Sequence, residues 1–324
     1  MSDSRTTIVP IALAGERLDK AAALLFEGHS RAELTRWIQQ GALTVDGAGV
    51  KPRHRLHGGE VLCLGAERRE REAWQAPQEM ALEVVYEDEH VLVINKPPGL
   101  VVHPGARNPD QTLVNGLLSY RPELTRLPRA GIVHRLDKDT SGVMVVAASE
   151  LAQTDLSQQI SKRTARRSYL GLCEGRMIAG RDVDAAIGRD PHVRTRQAVR
   201  DDGKPAYTEI RVRHRYRTHT LVAATLRTGR THQIRVHMKS IGHPLVGDRR
   251  YGARGVMPAM AADTLVAALK GFPRQALHAH ELSFDHPESG APMNFTVPLA
   301  EDMNELMRLL REDLESHGQE SGPL

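Results

Sequence analysis

Cysteine is almost missing from this chain: Cys63 and Cys173 are the only two in 324 residues. Neither has a C-x-x-C partner, so a disulfide framework and a cysteine zinc site both lack support. Each sits in an apolar run, where a small buried hydrophobe is expected. Aromatic residues make up 4% of the chain, so aliphatic side chains must build the core. No apolar run approaches the roughly 18 residues that span a bilayer. The opening MSDSRTTIVPIALAG has no basic segment leading into a long apolar one, and a cytoplasmic protein is expected. Also missing are a Walker A sequence, a G-x-G-x-x-G after a strand and a G-x-S-x-G elbow. A nucleotide cofactor and serine-hydrolase chemistry are therefore unsupported, and the expectation is no cofactor.

What is present is the composition of an ordinary globular protein, 40% hydrophobic and 26% charged. The length suggests two domains. A net charge of +4, a pI near 9.2 and 16 histidines fit a polyanionic partner. Where the basic residues cluster matters more than their sum.

Residues 16–28 place Leu18, Ala21, Ala22 and Leu25 on one helical face. Ser30 and Glu33 then form a capping-box pattern, and Leu34, Trp37 and Ile38 continue a second helix to Gly41. ALTVDG and VLCL read as short strands that close a unit over 1–65. Its polar positions are basic: Arg31, Arg36, Lys51, Arg53, His54 and Arg55, at a helix start and in one loop, where RNA contact is favoured over a merely solvated face. Residues 66–80 are charged and aperiodic, a linker. A larger unit over 81–315 follows, with a disordered tail over 316–324. In it LEVVYEDEHVLVINK reads as two strands around an acidic turn, TLVNGLLSY as a short helix and Ser149 onward as a longer one. RSYLGLCEG reads as a strand, YTEIRVRHRYR and HTLVAATLRTGR as a hairpin, and THQIRVHMKSIG as a helix capped by Thr231. Strands without regular βαβ alternation make the fold class α+β.

Three polar groups could carry chemistry. In HRLDKDTSG, an extended 132–137 would put Arg135 and Asp137 on the same side, and a guanidinium beside a carboxylate favours its charged form. Such an anion suits a nucleophile or a base; equally, the aspartates could simply bond their own turn. In LRTGRTHQIRVHMK, His232, Arg235 and Lys239 fall on one polar stripe, with Arg230 just before it. His232 and His237 are five apart, a poor fit to zinc ligands on a helix, and no metal is expected. In KRTARRSYLG, Lys162, Arg163, Arg166 and Arg167 lead into Tyr169, as when charge meets phosphate and a ring meets a base. Arg189, Arg194, Arg196 and Arg200 fall in an aperiodic stretch that could face a substrate.

Together these segments resemble the RluA family of RNA pseudouridine synthases. HRLDKDTSGVMVVA is similar to its signature segment and LRTGRTHQIRVHMKSIGHPLVGDRRYG to its distal arginine motif. SRAELTRWIQQGALTVDG and its flanks resemble an S4 RNA-binding domain, and VYEDEHVLVINKPPGLVVHPG and RQALHAHELSFDHP resemble further family segments. The likeness runs from about residue 11 to about 310. One departure is Gly171, where the family has Ala two residues after its tyrosine.

The resemblance implies a small S4-type α/β RNA-binding domain and a larger catalytic domain with a mixed, mainly antiparallel sheet. It implies isomerisation of uridine to pseudouridine in a stem-loop of large-subunit (23S) rRNA, free or in an assembling ribosomal particle. By that likeness Asp137 is the essential aspartate, Arg235 its partner, Tyr169 the residue stacking on the base, and Arg135 the filler of the gap left by the flipped nucleotide. A monomer is expected. Two other readings stand beside it, a non-catalytic RNA-binding assembly factor and an RNA base hydrolase.

Overall fold

The computed structural model describes residues 5–26, 29, 31–65, 76–105, 108–193 and 195–317. Ser30, residues 66–75 of the expected linker, Arg194 and the tail over 318–324 lie outside them. The chain divides into two compact units, Met1–Glu72 and Ala73–Leu324.

The first unit runs β1 (Arg5–Ile8), α1 (Leu18–Leu25), α2 (Arg31–Gln40), β2 (Leu43–Val45) and β3 (Val61–Leu64). Leu18, Ala21, Ala22, Leu34 and Ile38 meet Leu43, Val45 and Leu62 in one core, as their helical and alternating spacings dictate. β3 is the middle strand, antiparallel to both others. β1 escaped sequence reading because RTTI is mostly exposed and is held by backbone pairing rather than by an apolar face. Cys63, expected in the interior, is only half-buried, since its side of β3 is not covered.

The second unit begins with the hairpin β4 (Glu83–Glu87) and β5 (Val91–Lys96), then α3 (Leu113–Tyr120), β6 (Ser141–Ala147) and α4 (Glu150–Lys162). It continues with β7 (Arg166–Glu174), β8 (Arg181–Asp184), β9 (Ile187–Arg189), β10 (Gln197–Val199), β11 (Tyr207–Arg215), β12 (His219–Leu226) and α5 (Gln233–Ser240). α6 (Asp263–Gly271), β13 (Leu277–Asp285), β14 (Pro292–Thr296) and α7 (Glu301–Ser316) complete it. Among the described residues nine strands form one sheet, ordered β4-β5-β6-β13-β7-β12-β11-β8 with β14 on β13. The β6–β13 pair is parallel and the others are antiparallel. The aperiodic arginine stretch, expected as loop, holds the ribbon β9–β10. Residues 76–80 belong to this unit: the Asn115 side chain donates to Ala76 O at 2.9 Å and Gln78 N to Asn115 O at 3.0 Å.

β7 runs through the middle of the sheet, and its alternation builds two cores. Tyr169 and Cys173 join Ala152 and Leu156 of α4, while Leu170 and Leu172 join Leu265 and Leu269 of α6 and Leu306 and Leu310 of α7. A side chain on the α4 side of β7 therefore stands on a rigid floor.

Buried histidines that resist protonation are expected to make this unit acid-labile, His219 and His278 among them. His219 and His278 are each 1% exposed, and burial pushes each down to about 4. From pH 6.5 down to about 4 the unfolded chain binds protons that these folded histidines refuse, so falling pH favours unfolding. The contribution is complete above 6.5. Near pH 5 the pair should remove about 2 kcal/mol of stability per pH unit. Urea unfolding followed from pH 7.5 to 4.5 measures this; an unchanged midpoint between 6.5 and 5 would contradict it.

Candidate active site

The polar island is a loop from His134 to Thr140 that enters β6 at Ser141, not the extended segment that the sequence suggested over 132–137. Ile132 makes one isolated bridge to Val146, and residues 133–137 form no ladder. Tertiary partners hold its backbone instead. Lys96 Nζ donates to Lys138 O at 3.0 Å, and also to Pro97 O and Leu100 O. Arg274 donates to Asp139 O at 3.0 Å while paired with Asp302, and the Gln275 amide donates to the Thr140 hydroxyl at 3.1 Å. Burial pushes the Lys96 amine down to about 7, against the pull of Asp139. Just past the loop Gly142 takes φ +115, and a Cβ there would lie 2.1 Å from Ala279 O. Only glycine lets β6 close onto β13 here.

This frame presents Asp137. Its carboxylate accepts from Arg235 Nη1 at 2.8 Å, and His232 Nε2 lies 3.9 Å away. Arg235 comes from α5, 98 residues along the chain. Asp137 therefore pairs with Arg235, whereas Arg135, its expected neighbour, is exposed. Arg235 is itself gripped from behind. Asp248, 2% exposed, accepts from its Nε at 2.7 Å and its Nη2 at 2.9 Å. The guanidinium also stacks 4.9 Å from the Tyr251 ring centroid. Burial opposes the Arg235 charge, but Asp248 and then Asp137 outweigh it and raise its pKa above the ordinary value. The Tyr251 hydroxyl lies 2.6 Å from His232 Nδ1 and accepts from Gln197 N.

α5 corrects two expectations. Its N-cap is His232 at φ +58 with no side-chain cap, and Thr231 is exposed. The polar stripe also divides: Arg235 is buried under the loop of Asp137 while Lys239 is exposed at the helix end. His237, buried on the far side, is taken up by Thr208 Oγ1 and Ala185 O, each at 2.9 Å.

A cavity of about 650 Å³ opens over Asp137. It gathers Asp137, Tyr169, Arg235, Arg135, Arg163, Arg167, Arg230 and His232 from three separate segments. Lys162, with Arg163 and Arg227, borders an adjoining recess of about 640 Å³. Arg166 is exposed and lines neither. Tyr169 is buried, which raises its phenol above the ordinary value and keeps the ring neutral. In the first unit Arg31 pairs with Asp19 at 2.8 Å, Lys51 and Arg53 are exposed, and Arg36 is half-buried. Lys96, Asp248, Tyr251 and Arg274 were not singled out by sequence reasoning. Their signal was present, since all four lie in the long segments NKPPG, GDRRYG and RQALHAH, but nothing local says what each one touches.

An anionic carboxylate fixed by a buried guanidinium, beside a neutral aromatic ring in a basic cleft, can attack or deprotonate a nucleotide swung out of a helix. Such a cleft on a mixed sheet, in a chain that also carries a small helix-and-strand unit rich in base, defines an RNA-modifying enzyme. The profile of the RNA pseudouridylate synthases matches residues 90–240, and that of the S4 domain matches residues 16–62. The chain belongs to the RNA pseudouridine synthase family. It is 52% identical to the ribosomal large subunit pseudouridine synthase D of Xanthomonas campestris, over 96% of this chain and 94% of that protein. It is 51% identical to the enzyme of the same name from Pseudomonas aeruginosa, over 98% and 99%. The fold is shared with human RNA pseudouridylate synthase domain containing 4, with a TM-score of 0.56 and 24% identity over 71% of this chain and 93% of that one.

Proposed function

We propose that this chain converts uridine to pseudouridine in large-subunit (23S) ribosomal RNA, acting on a nucleotide flipped from a stem-loop. The observation that carries the reading is the Asp137 carboxylate, 2.8 Å from the Arg235 guanidinium and beside Tyr169 in one cavity. Asp137 is the essential carboxylate, Tyr169 stacks on the base, Arg235 holds Asp137, and Arg135 fills the place that the nucleotide leaves. Two relatives of about this length, 52% and 51% identical, are named for the large ribosomal subunit. A base within a stack cannot be detached and turned, so flipping is required, and it is easiest in loops. Isomerisation exchanges no electrons or groups with an outside donor, so no cofactor is needed. The enzyme acts as a cytoplasmic monomer.

The test is pseudouridine mapping on large-subunit rRNA incubated with the protein, as free RNA and as a precursor particle. New pseudouridine at defined uridines is expected on one of the two. Free uracil released in its place would mean a base hydrolase, and tight binding without either product would mean an assembly factor. Removing residues 1–65 should weaken RNA binding and relax site choice while sparing the chemistry. A truncated enzyme with full affinity and unchanged sites would contradict the RNA-binding role of Arg31, Arg36, Lys51 and Arg53.

A further inference from the structure

Arg167 is a buried cation without a counterion. It is 7% exposed, and its Nε makes no hydrogen bond. Among the described residues no carboxylate or carbonyl pairs with its guanidinium. Removing a charge from water is unfavourable unless a partner meets it. The titratable groups that feel its charge do not balance it. His134 is pushed down to about 3 by burial and then by Arg167 itself, and Tyr169 stays neutral. The chain nevertheless makes room for this side chain: a Cβ on Gly229 would lie 3.0 Å from Arg167 Nη1.

Its direction follows from the sheet. Arg167 and Tyr169 are two apart on β7, so they stand on the same face, roughly 7 Å apart. Both line the cavity. Arg129, Arg135, Arg163 and Arg227 also line it but are exposed, as suits phosphates that stay on the RNA backbone. Arg167 and Tyr169 are the enclosed pair, where the flipped base must go.

We propose that Arg167 is a further catalytic residue: it holds the carbonyl edge of the target uracil and stabilises the negative charge that builds there. When the bond between C1′ and N1 breaks, its electron pair remains on N1 and spreads to O2 and O4. The electron-poor C1′ is balanced by Asp137, through a bond from its carboxylate or through its uptake of the C2′ proton. If Asp137 instead adds to C6, the displaced π pair moves to O4 as an enolate. Every route loads the carbonyl oxygens. When C5 bonds to C1′ the charge is returned, C5 loses its proton and N1 gains one, so the product is an isomer. A guanidinium fixed before the reaction needs no reorganisation to meet that charge. Its planar, rigid guanidinium can aim N–H groups at one carbonyl oxygen in a fixed geometry, which a flexible lysine ammonium lacks.

This inference rests on the cavity being the site of uridine isomerisation. Single-turnover rates and RNA affinities of wild type, Arg167→Gln and Arg167→Lys on rRNA test it, together with a stem-loop carrying 5-fluorouridine at the mapped target. Arg167→Gln should lose about 10²- to 10³-fold in rate, the usual effect of removing one such donor. Its RNA affinity and salt dependence should stay near wild type. Arg167→Lys should recover part of the rate. With 5-fluorouridine, whose fluorine already draws charge from the ring, the Gln defect in cleaving the glycosidic bond should shrink. A defect of equal size on both bases overturns the proposal. So does weaker RNA binding that matches the lost rate, with a salt slope lower by about one, because that marks a phosphate contact. If Arg167→Gln melts early, Arg167→Lys keeps the charge and decides the matter by the same base comparison. An inactive wild type would count against the isomerase reading; an active wild type with an equally active Arg167→Gln counts against this inference alone.

Discussion

Asp137→Asn is expected to lower pseudouridine formation by at least about 10⁴-fold, in line with the loss of an essential group that acts as a unit with its neighbours. The substitution keeps the shape of the side chain and an oxygen for Arg235 Nη1, now 2.8 Å away, but removes the anion. Nucleophilic attack and proton abstraction both need that anion, so the loss does not depend on which route the reaction takes. RNA affinity should stay within several-fold or improve, because a carboxylate facing phosphates repels them. The thermal midpoint should move little, since Asp248 still pairs with Arg235. Rate and filter-binding measurements on the same preparation separate the two quantities. Residual activity above a tenth, or binding that falls in step with activity, would remove Asp137 from the role assigned to it.

Arg235→Leu should be the most destabilising change at the site. It would leave Asp248, whose side chain is 1% exposed, without its cation, and Asp137 beside it. Breaking a buried pair in this way costs about 3–5 kcal/mol, on the order of 10 °C in the thermal midpoint for a domain of this size. Activity should vanish as well. The double variant Arg235→Leu with Asp248→Leu discriminates folding from chemistry. Replacing both partners by apolar groups removes the uncompensated charge, so most of the stability should return. Activity should not, because nothing then holds Asp137. A double variant as unstable as the single one would mean that Tyr251 stacking and local packing, rather than charge pairing, hold α5 under the loop. A double variant that regained activity would show that Asp137 needs no partner.

Much of the molecule could be read locally. The helices around Leu18–Ala22 and Leu34–Ile38, the buried strand GVMVVA and the β11–β12 hairpin follow from spacing, because a side-chain period of 3.6 or 2 must put apolar groups on one face. The strands that carry no such pattern were not legible. RTTI holds its place through backbone bonds to β3, and backbone bonds leave no mark in side-chain order. Arg189 to Arg200 hid a ribbon for the same reason.

At the site, the sequence by itself determined the chemical types: an aspartate in a polar loop, a tyrosine after a basic run and an arginine at a helix start. It placed Asp137, Tyr169 and Arg235 among the candidates through the long motifs that contain them. Only the tertiary structure decided who pairs with whom. Asp137 met Arg235 from 98 residues away rather than Arg135 two residues away. Asp248 and Lys96 emerged as supports, and Arg167 parted from its exposed neighbour Arg166 to become a buried cation. The reason is physical. Periodicity reports which face a residue occupies, but an ion pair depends on where two faces meet in space, and that is set by strand order and loop closure.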